Sequence, residues 1–155
     1  MPSATPKPTV VGTPLIGADI AAGGKVGFVV VANNISAIVD EVRAYQSNPE
    51  GFSAGEGYAF VVVKMRINNG SEWPIIGRSQ LILIDDYSNQ YSAWGVSGFD
   101  LPEIPVLKPG ESASGAEVYK VPIPALTNAL RLRLEASSQS TRIEIFFDPL
   151  PVEEP

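Results

Sequence analysis

The 155 residues carry 45% hydrophobic side chains, enough for one domain that buries roughly two-thirds of its unfolded surface. Seventeen acidic residues against eleven basic ones give a net charge of -6, which repels phosphate backbones and excludes nucleic acid as an expected partner. Cysteine and histidine are both absent, so disulfides, thiolate nucleophiles, the usual zinc and copper sites and the commonest neutral-pH general base are excluded together.

The 14 glycines and 14 prolines suit many short strands separated by turns better than helices, and no apolar run approaches the length of a membrane helix. Residues 1–24, with Pro2, Pro6, Pro8 and Pro14 among Ser, Thr, Ala and Gly, read as a tether, although Val10-Val11 and Leu15-Ile16 are apolar enough to dock along a sheet edge. Met1 placed directly on this segment matches what removal of a secretion signal leaves, with a native cytoplasmic start as the alternative.

Val26 to Val31 is β-branched and reads as the first strand, broken at Asn33-Asn34. Ile35 to Tyr45 follows with a period-two pattern that slips after Val39, which predicts a bulge; a short helix over 37–46 is the competing expectation. After a loop over 47–55 comes the longest apolar run, Gly57 to Gly70. Phe60 to Val63 is apolar on both faces, whereas Lys64, Arg66 and Asn68 alternate with Met65 and Ile67, so the run reads as a central strand that ends in an Asn68-Asn69-Gly70 turn of positive φ.

Trp73-Pro74-Ile75-Ile76 is expected along an edge or over the core, Ser79 to Ile84 as a strand, and Asp85 to Asn89 as the turn that returns Gln90 to Trp94 antiparallel. A long connection from Gly95 to Gly110 leads to a strand over 112–121 that Pro122 ends. Leu130, Leu132 and Leu134 alternate with Arg131, Arg133 and Glu135, and Ile143 and Ile145 with Arg142 and Glu144, giving two half-buried strands that each show one charged row. The whole reads as an all-β, immunoglobulin-like antiparallel β-sandwich of seven or eight strands, with the sandwich over 25–148 and an acidic, frayed tail over 149–155.

The order Gly57-x-x-Phe60-Val-Val-Val63, Leu81-x-Leu83, Asp85-Asp86-x-x-Asn89-x-Tyr91, Leu107-Lys-Pro-Gly-Glu111, Val118-Tyr-Lys-Val-Pro122 and Leu130-x-Leu132 resembles the bacterial immunoglobulin-like domain of unknown function found in secreted lipoproteins, a fold shared with a secreted mycobacterial antigen. The resemblance spans about residues 25–147, and its most specific part lies between Gly57 and Pro122. It implies a protein secreted or lipid-anchored at the cell surface, with any membrane contact made through an N-terminal lipid. This chain departs from the pattern in showing neither signal nor lipidated cysteine.

Three constellations compete for function. Asp85, Asp86 and Asn89 are expected simply to close the hairpin; the alternative is a calcium site that recruits Asp100 or Glu103, and no other cofactor is expected. Trp94 and Phe99, on a long glycine-containing connection, either form an apolar or sugar-stacking surface that Trp73 extends, or plug the open end of the sandwich. Gly110-Glu111-Ser112-Ala113-Ser114 lacks the last glycine of a nucleophile elbow, which leaves a hydrolase built on carboxylates such as Glu103 and Glu111 as the only catalytic alternative. The chain is therefore expected to be a non-catalytic interaction module for a protein or small ligand, with small-molecule or glycan binding as its first alternative. An edge-to-edge dimer through Ile143 to Phe147 is expected unless the N-terminal segment covers that edge.

Overall fold

Period-two alternation of apolar and polar residues builds two sheets whose apolar faces meet. The computed structural model describes residues 9–10, 20–32, 34–70, 76–77, 80–94, 99, 102–136 and 141–154. Their strands are β1 (Thr9–Val10), β2 (Ile20–Lys25), β3 (Val29–Ala32), β4 (Ile35–Tyr45), β5 (Tyr58–Asn69), β6 (Leu81–Ile84), β7 (Gln90–Tyr91), β8 (Ser112–Pro122), β9 (Arg131–Ala136), β10 (Thr141–Phe146) and β11 (Val152–Glu153), with one 3₁₀ helix at Ile123–Thr127. The first sheet runs β1-β3-β4-β5-β8, with β11 also on β4, and the second runs β2-β10-β9-β6-β7. The chain is thus an all-β sandwich, and the short helix over 37–46 does not form.

β5 is the central strand of the first sheet, between β4 and β8. Its odd-numbered residues Val61, Val63, Met65 and Ile67 face Leu81, Leu83, Leu132, Leu134, Ile143 and Ile145 across the sandwich in one buried cluster. Tyr119 joins the two sheets, because its fully buried hydroxyl donates to the Leu81 carbonyl at 2.9 Å. A buried phenol needs such a partner, or it forfeits part of what its ring contributes.

The slip after Val39 is a β-bulge: Val39 pairs with Met65 and Glu41 with Lys64, which leaves Asp40 as the extra residue. Its carboxylate receives Arg66 through two hydrogen bonds, at 2.7 and 2.8 Å. The charged rows of β9 and β10 also pair as the alternation implies, since Arg142 stands opposite Glu135 and Glu144 opposite Arg133. Arg142 reaches Glu135 at 3.2 Å and Arg133 reaches Glu144 at 2.8 Å; Glu144 is buried and the other three are half-buried rather than freely solvated.

Three expectations need correction, and the condition attached to a fourth, the edge-to-edge dimer, is met. β2 begins at Ile20 and β1 holds Thr9–Val10, both inside the stretch read as a tether, while the tail over 149–155 contributes β11. β2 pairs in parallel with Thr141–Phe146, so the edge offered for dimerisation is covered. Neither Asn68, Asn69 nor Gly70 takes positive φ; Asn68 and Asn69 stay in β5, and the Gly70 amide donates to the Asn34 carbonyl at 2.9 Å. A Cβ at Gly70 would lie 2.5 Å from that carbonyl oxygen, so glycine is required there for close approach. Finally, the β6–β7 hairpin stops at Tyr91, and the chain crosses to the other sheet, where Ala93 pairs with Tyr119 of β8.

Candidate functional site

The even-numbered residues of β5 point away from the sandwich core, and at one end they are apolar. Phe60 and Val62 form a second buried cluster there with Ala54, Ala116 and Val118, and Tyr45 and Phe99 pack against it. This explains why Ala59 to Val63 is buried on both faces while Lys64, Arg66 and Asn68 are exposed. Burying a side chain the size of Phe60 contributes about 1.5–3 kcal/mol, a gain that this end of the sheet obtains only because loops cover it.

The first cover is the loop over 46–57. Asn48 organises it, since its Oδ1 accepts the amides of Glu50 at 3.0 Å and Phe52 at 2.8 Å, while Gly51 turns the chain at a φ of 87°. The loop sets the Phe52 ring parallel to Phe60, with centroids 6.1 Å apart. The second cover is the segment after β7. The Trp94 amide donates to the Val118 carbonyl at 2.6 Å, and the Ala116 amide donates to the Pro102 carbonyl at 2.7 Å, so this segment occupies the free edge of β8. Glu117, buried in β8, accepts the Ile104 amide at 3.0 Å.

Trp94 and Phe99 therefore take different roles. Phe99 lies 5.5 Å from Tyr45 and edge-on to Phe60 at 6.0 Å, so it covers the outer face of the first sheet and does not plug the open end of the sandwich. Trp94 stays exposed at 52%, as do Tyr58 at 40% and Phe52, which stacks on Phe60, at 58%. Lys120 stands opposite Phe60 in register, and its Nζ lies 4.8 Å from the Tyr58 ring and 5.0 Å from the Trp94 ring. The result is a surface patch in which Phe52, Tyr58 and Trp94 surround Lys120 and the buried Phe60. Phe52, Tyr58 and Lys120 escaped the sequence reading because each sits in an ordinary strand or loop pattern. Only the β5–β8 register brings them together.

Trp73 and Asp100 lie outside the described residues. The acidic turn is described, and its chemistry is internal. Asp85 is buried, and its Oδ1 accepts the Tyr87 and Asn89 amides, both at 2.9 Å, while its Oδ2 accepts Asn89 Nδ2 at 3.0 Å and the Tyr91 hydroxyl at 2.7 Å. Burial pushes this carboxyl up, but the hydrogen bonds from Asn89, Tyr91 and Tyr87 outweigh it and hold it below the usual aspartate range. The same burial, with the Asp85 charge, pushes Tyr91 up to about 12. Four donors occupy the Asp85 oxygens that a calcium ion would have to take over: Asp85 ties the hairpin, and Asp86 and Asn89 are exposed beside it. Glu111 has a similar task, because its Oε1 accepts the Lys108 amide across the Pro109-Gly110 turn at 2.8 Å.

Two depressions mark the same outer face. One, of about 170 Å³, is lined by Tyr45, Val62 and Phe99 below Glu41, Arg43 and Lys64. Hydrogen bonds from Lys64 and Arg43 hold the Glu41 carboxyl below its usual range, and Arg43 also reaches Glu153 of β11 at 3.1 Å. The other, of about 360 Å³, lies at the opposite end among Ser36, Ile38, Arg66, Asn68, Ser112 and Ser114. Ligand pockets usually enclose about 300–1,000 Å³. The first depression is smaller than that, and Trp94 lines neither.

No known family profile matches the chain, and no curated protein does. Solved structures do. An uncharacterised β-sandwich protein of Clostridium difficile matches at TM-score 0.51 and 12% identity over 86% of this chain and 99% of its own. The secreted protein MPT63 of Mycobacterium tuberculosis matches at TM-score 0.55 and 10% identity over 85% of this chain and 100% of its own. The provisionally assigned lipoprotein ycdA of Bacillus subtilis matches at TM-score 0.55 and 11% identity over 76% of this chain but 37% of its own length. These likenesses establish the fold. They place the chain among β-sandwiches, and fold by itself assigns no activity.

Proposed function

We propose that the chain is an immunoglobulin-like, non-catalytic interaction module, secreted or lipid-anchored outside the cytoplasm, whose partner-contact surface is the patch formed by Phe52, Tyr58 and Trp94. The observation that carries this reading is that these three aromatics, from separate segments, are 40–58% exposed and yet fixed in place by β5, β8 and the Asn48 loop. Grouped exposed aromatics mark contact surfaces, and contact energy concentrates on Trp and Tyr anchors of this kind. The extracytoplasmic part draws support from the secreted and lipoprotein character of two structural neighbours. At the Phe99 end of this face a protein partner fits better than a small molecule or glycan, since the depression there is smaller than an ordinary ligand pocket, and the larger one lies at the opposite end.

Photo-crosslinking tests the reading. A crosslinking residue at position 52, 58 or 94 of the chain, displayed on cells of its source, is expected to trap one discrete adduct. Control positions 66, at the far end of the same face, and 142, on the other sheet, should trap none. Equal adducts from all five positions, or none from the patch, would remove the basis of the proposal.

A further inference from the structure

The patch contains a cation whose arrangement differs from that of its neighbours. Arg43 pairs with Glu41 and Glu153, Lys64 with Glu41, and Arg66 with Asp40, at 2.7–3.1 Å. Lys120 shares their face, yet among the described residues no carboxylate comes within 4.0 Å of its Nζ. The two rings hold it instead. Gly55, at a φ of 101°, lies beside it, and a Cβ there would stand 4.0 Å from the ammonium, an ordinary van der Waals distance. Fixing a lysine costs rotamer entropy, and here the two rings hold the ammonium before any partner arrives.

We infer that Lys120 is the anion-recognition point of this patch, and that it takes a carboxylate carried next to an apolar side chain on a protein segment. The inference rests on the patch being the contact surface. A carboxylate brought to Nζ between two rings is less solvated than on open surface, which strengthens the pair. Phe52, stacked on Phe60 and 58% exposed, then receives the neighbouring apolar side chain. A sugar acid suits the site less well. Among the described patch residues Lys120, the Tyr58 hydroxyl and the Trp94 indole N–H supply donors, but no side-chain carboxylate or amide stands with them to accept from the several hydroxyls of a sugar ring. The net charge of -6 opposes long-range steering of an acidic partner, so recognition is short-range.

Titration of the isotope-labelled chain, followed by NMR, tests this with N-acetyl-L-phenylalanine, its uncharged amide and glucuronate. The acid is expected to move the Trp94 indole and Lys120 signals with an affinity at least about five-fold above that of the amide. Lys120→Gln should abolish that difference, and Lys120→Arg should keep it. Equal binding of acid and amide would overturn the role of Lys120 while leaving the contact surface standing. A response to glucuronate alone would overturn the protein-segment assignment in favour of an acidic sugar, and no response at the patch to any of the three would overturn the inference outright.

Discussion

Replacement of Asp85 tests the claim that the acidic turn is structural. Asp85→Ala removes an acceptor of four hydrogen bonds, and Asp85→Asn keeps the shape but turns an amide NH₂ toward donors. A hydrogen bond to a charged group contributes about 1.5–3 kcal/mol, and the bonds do not add simply. The donors on Asn89 lie in an exposed turn and can recover water, while the half-buried Tyr91 hydroxyl recovers less. Either variant should therefore lose about 2–4 kcal/mol, a large share of the roughly 5–15 kcal/mol typical of a domain. Urea unfolding followed by circular dichroism measures this, and Tyr91→Phe in the Asp85→Ala background should cost little more, since the two groups act as a pair. The pH dependence follows from the lowered carboxyl. Its contribution is fully present above the unfolded aspartate value, near about 3.9, and disappears as pH falls through the lower folded value. Tyr91, raised to about 12, contributes stability that is complete below its unfolded value near about 10 and is lost as pH rises through 12. A loss under about 0.5 kcal/mol in both Asp85 variants, with an unchanged acid limb, would refute the argument.

Three further outcomes are expected. Gly115→Ala places a Cβ 2.6 Å from the Pro102 carbonyl, which should lift the 102–104 segment off the edge of β8, cost about 1–3 kcal/mol and raise the dimer fraction in light scattering. In a Trp73→Phe variant the remaining Trp94, 52% exposed, should emit at long wavelength and be readily quenched by acrylamide; blue-shifted, protected emission would contradict its exposure. Replacing chelator by millimolar calcium should leave the unfolding temperature unchanged, because the Asp85 oxygens are already occupied, and a rise of several degrees would show that a cation displaces those donors.

Much of the fold was legible because it depends on local alternation. The bulge after Val39, the strand over Ser112–Pro122 and the facing charge rows of Arg133, Glu135, Arg142 and Glu144 all follow from residues two apart pointing the same way. The terminal strands were not legible. β1, β2 and β11 make all three parallel pairings found among the described residues, and each depends on an edge built elsewhere, on β3, β10 and β4. Ile20-Ala-Ala-Gly-Gly-Lys25 has no strand pattern of its own, so pairing with β10 overrides its weak propensity. Asn69-Gly70 misled for a similar reason, since the close approach of Asn34 uses that glycine without positive φ.

The candidate site divides the same way. Trp94 and Phe99 stood out as large aromatics on a long connection, but their separation into one exposed anchor and one covering ring depends on the distance between β8 and β4. The sequence by itself determined an all-β chain with a doubly buried segment at Phe60 to Val63, because four consecutive apolar residues in a strand require cover on both faces. Only the tertiary structure decided what that cover is. Register across β5 and β8 sets Lys120 beside Phe60, and two loops distant in the chain bring Phe52 and Trp94 to it, contacts that no local pattern encodes.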